Sequence, residues 1–185
     1  NNMSLTNNVS ILNTEGYTWI ASVIIDAQDL SGLIGYSINY TDIAGNNGET
    51  VTSGVGSVNV DTDTPTMLNV TMNINGVDVT DSTLASSNDM VAIKFETSEQ
   101  LMSNPIVTFT SGGNNITNEN DITVMNTSEN NWEASYMVSE NDSDGIVQAT
   151  ITLKDMAGNE ITASSEVTTV IIDNTPPELV SSEMT

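Results

Sequence analysis

The sequence contains two copies of one pattern, separated by 113 residues. Trp-Ile-Ala-Ser at 19–22 recurs as Trp-Glu-Ala-Ser at 132–135, and Asp-Ile-Ala-Gly-Asn at 42–46 recurs as Asp-Met-Ala-Gly-Asn at 155–159. Further segments keep the spacing: 29–32 with 142–145, 13–14 with 126–127 and, after a one-residue slip, 60–65 with 172–177. Such a constant offset indicates tandem duplication, which restricts the chain to folds in which one unit recurs.

The repeat also predicts the domain boundaries. A complete unit covers 66–177, whereas 1–65 correspond to the second half of a unit plus its linker, and 178–185 correspond to the start of a further repeat. We therefore expect either a fragment of a longer array or a first unit that another chain completes by donating a strand. The sequence leaves both explanations open.

Short runs rich in Val, Ile and Thr, bounded by Asn, Asp, Gly and Ser, predict β-strands throughout. In the complete unit we expect strands near 67–75, 89–97, 105–110, 121–126, 132–139, 146–154 and 166–173. Alternation predicts three inward-facing sets, namely Val91, Ile93 and Phe95; Trp132, Ala134, Tyr136 and Val138; and Val147, Ala149, Ile151 and Leu153. The corresponding sets in the partial unit are Trp19, Ala21, Val23 and Ile25, then Ile34, Tyr36, Ile38 and Tyr40.

These patterns predict an all-β fold. Seven short strands in roughly 110 residues, with a tryptophan in the middle, are typical of an immunoglobulin-like β-sandwich. We expect tandem sandwiches, the first of them incomplete in this chain. The chain has no cysteine, so a disulfide cannot link the two sheets.

The charge balance excludes several classes of function. The chain has 25 Asp and Glu but only two basic residues, Lys94 and Lys154, and it has no Arg, His or Cys. These absences exclude zinc fingers, iron–sulfur clusters and Ser-His-Asp triads. Nucleic-acid binding and attraction to an anionic membrane are also excluded, because both need clustered bases. No apolar run is long enough to predict membrane insertion of this segment, and hard cations held by oxygen ligands remain open.

The order of these motifs resembles a known family. Trp-x-Ala-Ser, an Asp-x-Asp-Gly turn, Asp-x-Ala-Gly-Asn and Ile-Asp-Asn-Thr-Pro-Pro together resemble the tandem immunoglobulin-like repeats of large bacterial and archaeal cell-surface proteins. Surface-layer proteins, surface filaments and giant adhesins carry such repeats. The resemblance implies a secreted, structural array that calcium often stiffens. The linker at 61–65 departs from the pattern, since it has a single proline and an additional acid, Asp63.

The Asp-x-Ala-Gly-Asn motif at 155–159 has two interpretations. Gly158 permits a positive φ, and Asp155 and Asn159 are turn residues whose side chains bond to nearby backbone, so the motif predicts a tight turn between strands. Alternatively, the Asp155 carboxylate and the Asn159 carbonyl are Ca²⁺ ligands, because hard oxygen ligands suit this ion. Asp42 and Asn46 form the equivalent pair in the first copy.

The expected sandwich topology favours the second interpretation, because it brings acids together where one unit follows another. We expect a Ca²⁺ site at the junction of the two units, with Glu99 and Glu129 as further candidates, formed by Asp26, Asp29, Asp61, Asp63, Asp155 and Asn159. The same reasoning places Asp142, Asp144 and Asp173 at a downstream junction and Asp42 and Asn46 at an upstream one. Close carboxylates repel strongly at low dielectric, so each cluster favours a cation.

The expected function is that of a structural module in an extracellular surface layer or filament, where other copies of the chain are its partners. Two alternatives remain, namely the stalk of a calcium-dependent adhesin and a ligand-binding module. Surface glycans fit all three, although the seven Asn-x-Ser/Thr sequons hardly exceed the roughly six that composition gives by chance. Enzymatic activity is not expected: paired carboxylates can hydrolyse glycosides, but these acids lie in turns and linkers that recur in each repeat.

Overall fold

A computed structural model describes residues 5–165 and 169–181 and divides the chain into two compact units, Asn1–Asp63 and Thr64–Thr185. We term them unit 1 and unit 2. Apart from one 3-10 turn at Glu119–Asp121, the regular elements of the described ranges are β-strands. In the same ranges, no helix has the length and apolar character needed to cross a bilayer.

Unit 1 contains two small antiparallel sheets. Strands β1 (Ser10–Glu15) and β2 (Thr18–Ser22) form a hairpin, and β3 (Gly32–Leu33) pairs with β4 (Asn59–Val60). Beyond β3, the pairing continues through isolated bridges from Ile38 to Val51 and from Thr41 to Asn47. Unit 1 therefore consists of short antiparallel ladders and isolated bridges.

Unit 2 is an immunoglobulin-like β-sandwich of two sheets. Its strands are β5 (Met67–Ile74), β6 (Val77–Asp78), β7 (Thr83–Ala85), β8 (Met90–Thr97), β9 (Ile106–Ser111), β10 (Asn114–Asn115), β11 (Thr123–Ser128), β12 (Asn131–Met137), β13 (Gly145–Lys154), β14 (Glu160–Ser164) and β15 (Val170–Ile172). One sheet has the order β11-β12-β8-β5-β6. The other has the order β10-β9-β13-β15-β7, and β14 also pairs with β13.

The core of unit 2 lies between these sheets. All three inward-facing sets predicted from alternation in the complete unit are buried, and the prediction is therefore confirmed. The ring of Tyr136 packs against that of Phe109, with 4.7 Å between ring centroids. Burying each large apolar side chain contributes roughly 1.5–3 kcal/mol, so these alternating strands are the main source of stability.

The predicted final strand near 166–173 differs from the observed one. After the turn at 155–159, β14 pairs with the second half of β13, whereas β15 pairs with its beginning and runs parallel to β7. Neither β14 nor β7 was predicted, because these strands are only five and three residues long. Residues 166–168 of the predicted strand lie outside the described residues.

The predicted burial of the inward-facing sets of unit 1 is wrong for most of their members, since only Val23 and Ile34 are half-buried. Trp19 is 64% exposed, and Ile25, Tyr36, Ile38 and Tyr40 are also exposed. In unit 2, the equivalent side chains pack against β5, β8 and β9, but residues 1–63 contain counterparts only of the later strands. Alternation correctly identifies which side chains share a face, and burial then requires a second layer.

Candidate functional site

The Asp155–Asn159 turn links β13 to β14 and is closed by the carboxylate of Asp155. Oδ1 of Asp155 accepts hydrogen bonds from the backbone N–H groups of Gly158 (2.6 Å) and Asn159 (2.8 Å). Oδ2 accepts one from Asn159 Nδ2 at 2.8 Å. Gly158 has a φ of +99°, which strongly favours glycine at this position. The tight turn predicted from the motif is therefore present, with its aspartate fully buried.

The first copy of the motif forms the same turn in unit 1. Oδ1 of Asp42 accepts the Asn46 N–H at 2.8 Å, and Oδ2 accepts Asn46 Nδ2 at 2.9 Å. Gly45 has a φ of +91°. Asp42 and Asn46 are nevertheless exposed, whereas Asp155 is buried. Local sequence thus determines the geometry of the turn but not its exposure.

Hydrogen bonding keeps both aspartates ionised. Burial is the largest influence on Asp155 and raises its pKa, but the hydrogen bonds from Asn159, Gly158 and Ala157 together outweigh burial and hold the pKa below its usual value. For Asp42, the hydrogen bonds from the Asn46 side chain and backbone lower the pKa. A cation that binds oxygen ligands needs the deprotonated carboxylate, which both turns provide.

Glu99 adds a second acid beside the Asp155 turn. Leu101 forms a bridge with Asp155, and the Met102 N–H donates to the Lys154 carbonyl. This brings a carboxylate oxygen of Glu99 within 4.8 Å of one of Asp155. Lys154 forms an ion pair with Glu160 at 3.7 Å, so its charge is partly shared with an acid on the neighbouring strand.

The other acid predicted near this end of unit 2, Glu129, has different surroundings. Glu129 lies exposed in the β11–β12 hairpin turn with a φ of +45°. The neighbouring Asn130 carbonyl accepts the Thr97 N–H, which places the hairpin turn at the same end of the sandwich as the segment after β8. Glu129 thus shares this end of unit 2 with Glu99.

The acids at the C-terminal end of unit 2 organise the loop that holds the outgoing chain. Asp142 is buried, and its carboxylate accepts N–H groups of Thr117 (2.7 Å) and Ser139 (2.9 Å). The carboxylate of Asp144 accepts bonds from the Thr175 hydroxyl and the Asn174 N–H, which lower its pKa. Asp173 accepts the Thr175 N–H at 3.2 Å. All three predicted ligands therefore have internal donors.

Asn174 is a structural residue that the sequence interpretation treated only as linker. Its Nδ2 donates to the carbonyls of Ser139 (3.0 Å) and Asp142 (3.2 Å), and its Oδ1 accepts the Ser87 N–H at 2.8 Å. The signal available in the sequence was its place in the recurrent Ile-Asp-Asn-Thr-Pro-Pro segment. That segment is a linker whose first residues belong to the sandwich.

Unit 1 uses different side chains for the same arrangement. Asp29 is buried and accepts N–H groups of Thr6 (2.6 Å) and Asp26 (2.7 Å), and these bonds lower its pKa, with that from Asp26 the largest cause. Thr62, at the position of Asn174, donates its hydroxyl to the Asp29 carbonyl and its N–H to Ser31 Oγ. Ser31 thus accepts the backbone hydrogen bond that Asp144 accepts in unit 2.

The other acids predicted in unit 1 lie in the loop between β2 and β3 and in the linker after β4. Asp26 is exposed and accepts the Gln28 N–H at 3.0 Å. Asp61 is half-buried and accepts the Asp63 N–H at 3.2 Å, as Asp173 does with Thr175 in unit 2. Asp63 is exposed. These carboxylates combine local backbone bonding with considerable access to solvent.

Comparison with known proteins identifies no family for this chain. No protein-family model and no curated protein matches the sequence. Similar solved structures include the titin Ig tandem domains A164–A165, at 16% identity over 92% of this chain and 76% of that chain, with a TM-score of 0.30. The titin domains z1z2 in complex with telethonin match at 15% identity over 89% and 70%, with a TM-score of 0.35.

The twitchin kinase region from C. elegans is also similar, at 13% identity and a TM-score of 0.34. The match covers 64% of this chain but only 18% of the twitchin chain. TM-scores this low carry no argument about function. By its own strand order, unit 2 is an immunoglobulin-like β-sandwich.

Proposed function

We propose that this chain is a structural module of an extracellular array, a surface layer or surface filament, in which bound Ca²⁺ stiffens the domain junctions. The observation that carries the proposal is the attachment of the chain at both ends of unit 2. The N–H of Thr66 donates to Ser98 Oγ and the Ser98 N–H donates to the Thr66 carbonyl, while Pro65 is fully buried. At the other end, Asn174 is hydrogen-bonded to two separate segments, Ser87 before β8 and the loop between β12 and β13.

Such attachment suits a module that transmits force along a chain. A linker whose first and last residues belong to the neighbouring sandwiches has fewer free torsions, and proline restricts it further. Pro176 and Pro177 directly follow the hydrogen-bonded residues 173–175. The resulting stiffness is the mechanical property that a lattice, a filament or an adhesin stalk would need, as a semi-rigid rod.

The Ca²⁺ part of the proposal is supported by the chemistry of the Asp155 turn. Asp155 is ionised and Glu99 lies close to it within unit 2. Ca²⁺ takes six to eight oxygen ligands, so two carboxylates need others. The sequence offers Asp61 and Asp63 directly before unit 2, and these acids are the further ligands that we propose.

Thermal unfolding in the presence of Ca²⁺ or a chelator tests this assignment. A ligand at 100 times its Kd stabilises the folded state by about 2.7 kcal/mol, so we expect a clear rise in the Tm of unit 2. Glu99→Gln should weaken the response, whereas Glu133→Gln, an acid in the middle of β12, should leave it unchanged. Equal Tm values in Ca²⁺ and chelator, or equal responses in both variants, would contradict a Ca²⁺ role.

Imaging of whole assemblies tests the structural role separately. A lattice or filament predicts contacts between copies larger than the roughly 800 Å² of incidental packing. An adhesin stalk predicts isolated rods. A ligand-binding module would instead bind a sugar or peptide through exposed side chains such as Tyr17, which lies fully exposed between β1 and β2.

A further inference from the structure

Unit 1 carries exposed apolar side chains beside strand edges that have no partner among the described residues. Trp19 is 64% exposed, and exposed apolar side chains also occur along residues 34–40. Large contiguous apolar surfaces on soluble domains usually mark an interaction site. Unit 2 contains the second copy of the same sequence segment, so its fold shows which strands pack beside the equivalent side chains.

In unit 2, β8 pairs with the free edge of the equivalent hairpin. Strand β12 pairs with β11 on one edge and with β8 on the other, and this register places Trp132 opposite Phe95 and Ala134 opposite Ile93. Trp132 is 8% exposed. Within the described residues, β2 pairs with β1 only, so the edge that β8 occupies in unit 2 has no strand in unit 1.

A second edge of unit 1 is open in the same way. In unit 2, β13 pairs with β9 through Val147–Thr152. The 113-residue offset maps that stretch onto residues 34–39, which bond to Val58 and Val51 on one side. Among the described residues, no strand lies along their other side. Open edges beside an apolar face are sites at which a further strand can pair.

One continuous segment supplies both missing strands in unit 2. β8 and β9 follow one another in sequence, and each belongs to a different sheet. Val91, Ile93 and Phe95 of β8 and Val107 and Phe109 of β9 all point into the core. A segment with this spacing therefore closes two edges and covers the face between them.

We propose that unit 1 is a docking surface for a β-segment of the same repeat type, whose two strands pair with β2 and with residues 34–39 as β8 and β9 pair in unit 2. Identical hairpin registers carry the assignment: Asn13 lies opposite Trp19 as Asn126 lies opposite Trp132, and both hairpins have a bulge after the asparagine. The occupant is thus a half-repeat with the pattern of residues 64–112. This docking requires neither the bound Ca²⁺ nor the cell-surface location of the proposed function.

Fusing residues 64–112 to the N-terminus of the full chain tests the proposal. The fusion places a half-repeat before unit 1 in the order found in unit 2. We expect Trp19, observed in a Trp132→Phe background, to shift its emission to the blue and to lose acrylamide quenching until it matches Trp132. Backbone amides of β2 should also gain protection from hydrogen exchange, and that measurement needs no Trp132 substitution.

A matched control carries Ile93→Asp and Phe95→Asp in the added segment alone. This fusion should leave Trp19 as accessible as in the original chain. A Trp19→Phe version of each fusion reports whether Trp132, and therefore unit 2, stays folded. If unit 2 is intact and Trp19 remains quenched in the unmodified fusion, the docking proposal is wrong. In the unfused chain, residues 64–112 are already paired within unit 2. Concentration-dependent protection of Trp19 there would show that unit 1 of a second copy covers this face, and it would also overturn the proposal.

Discussion

The β1–β2 and β11–β12 hairpins have the same length of first strand, the same register and a bulge at the same place, yet their tryptophans differ completely in exposure. Trp19 is 64% exposed and Trp132 is 8% exposed. Hairpin pairing depends on neighbours in sequence, whereas burial depends on strands that lie far from β12 along the chain, namely β8 in the same sheet and the opposite sheet across the core. The comparison separates what a segment forms by itself from what its partners add.

The two Asp-x-Ala-Gly-Asn turns repeat this contrast in a polar group. Each carboxylate accepts hydrogen bonds from backbone N–H groups and from the asparagine side chain of its own turn. The glycines of the two turns have φ values of +91° and +99°. Asp155 is nevertheless buried beside Leu101, while Asp42 is exposed. The local motif therefore determines which hydrogen bonds form, and the surrounding sandwich determines how much those bonds contribute to stability.

The largest expected difference is between the tryptophans. Trp132→Ala should destabilise unit 2 by about 3–5 kcal/mol, because the substitution leaves a cavity in a packed core. Trp19→Ala should change the free energy of unfolding by no more than about 0.5 kcal/mol, as surface substitutions usually do. Urea unfolding followed by far-ultraviolet circular dichroism measures both. Equal losses would mean that unit 1 has a core of its own.

A smaller difference is expected between the turn aspartates. Asp155→Ala leaves the buried donors of Gly158 and Asn159 without their acceptor, which should cost about 1–3 kcal/mol. Asp42→Ala exposes its donors to water, so the loss in unit 1 should be distinctly smaller. Urea unfolding gives the first value, and hydrogen exchange at the Asn46 and Asn159 amides compares the two turns directly. A larger effect at Asp42 would contradict the role assigned to burial.

The smallest expected effect concerns acid pH. The backbone N–H of Ser86 and the Asn75 side chain hold the pKa of Asp89 below its ordinary value of 3.8. Above the ordinary pKa, the folded and unfolded states are both ionised and the contribution is complete; as the pH falls below 3.8, the unfolded chain takes up its proton first. The stabilisation is therefore lost as the pH approaches the lowered pKa of the folded state.

Urea unfolding between pH 5 and about pH 2 measures this contribution as a difference between variants. Asp89→Asn should show a shallower loss of stability than the wild-type chain over that range. Asp121→Asn, at an exposed acid in the 3-10 turn, is the control and should follow the wild type. Parallel curves for Asp89→Asn and the wild type would remove the assigned role.

Alternation predicted the core of unit 2 because each strand there has a packed face and a solvated one. The positions of Val91, Ile93 and Phe95 were therefore correct from the sequence. Strands β7 and β14 were missed, since a strand of three or five residues at the edge of a ladder gives a pattern too short to recognise. Sequence patterns report burial, and edge pairing leaves a weaker trace in them.

The candidate site was predictable in part for a related reason. The Asp155 turn follows from residue types that stabilise it locally, and the motif identified it. The nearness of Glu99 to Asp155 depends on the segment after β8 meeting the end of β13, which is a long-range event. Asn174 was overlooked because its partners, Ser87, Ser139 and Asp142, are distant in sequence.

The sequence by itself determined the repeat, the hairpins, the tight turns and the side chains that share a face. All of these depend on residues a few positions apart or on a spacing that can be counted. The tertiary structure decided which of the two equivalent faces is buried and which aspartate loses its contact with water. Burial requires a second layer of strands, and the described chain supplies that layer to unit 2 alone.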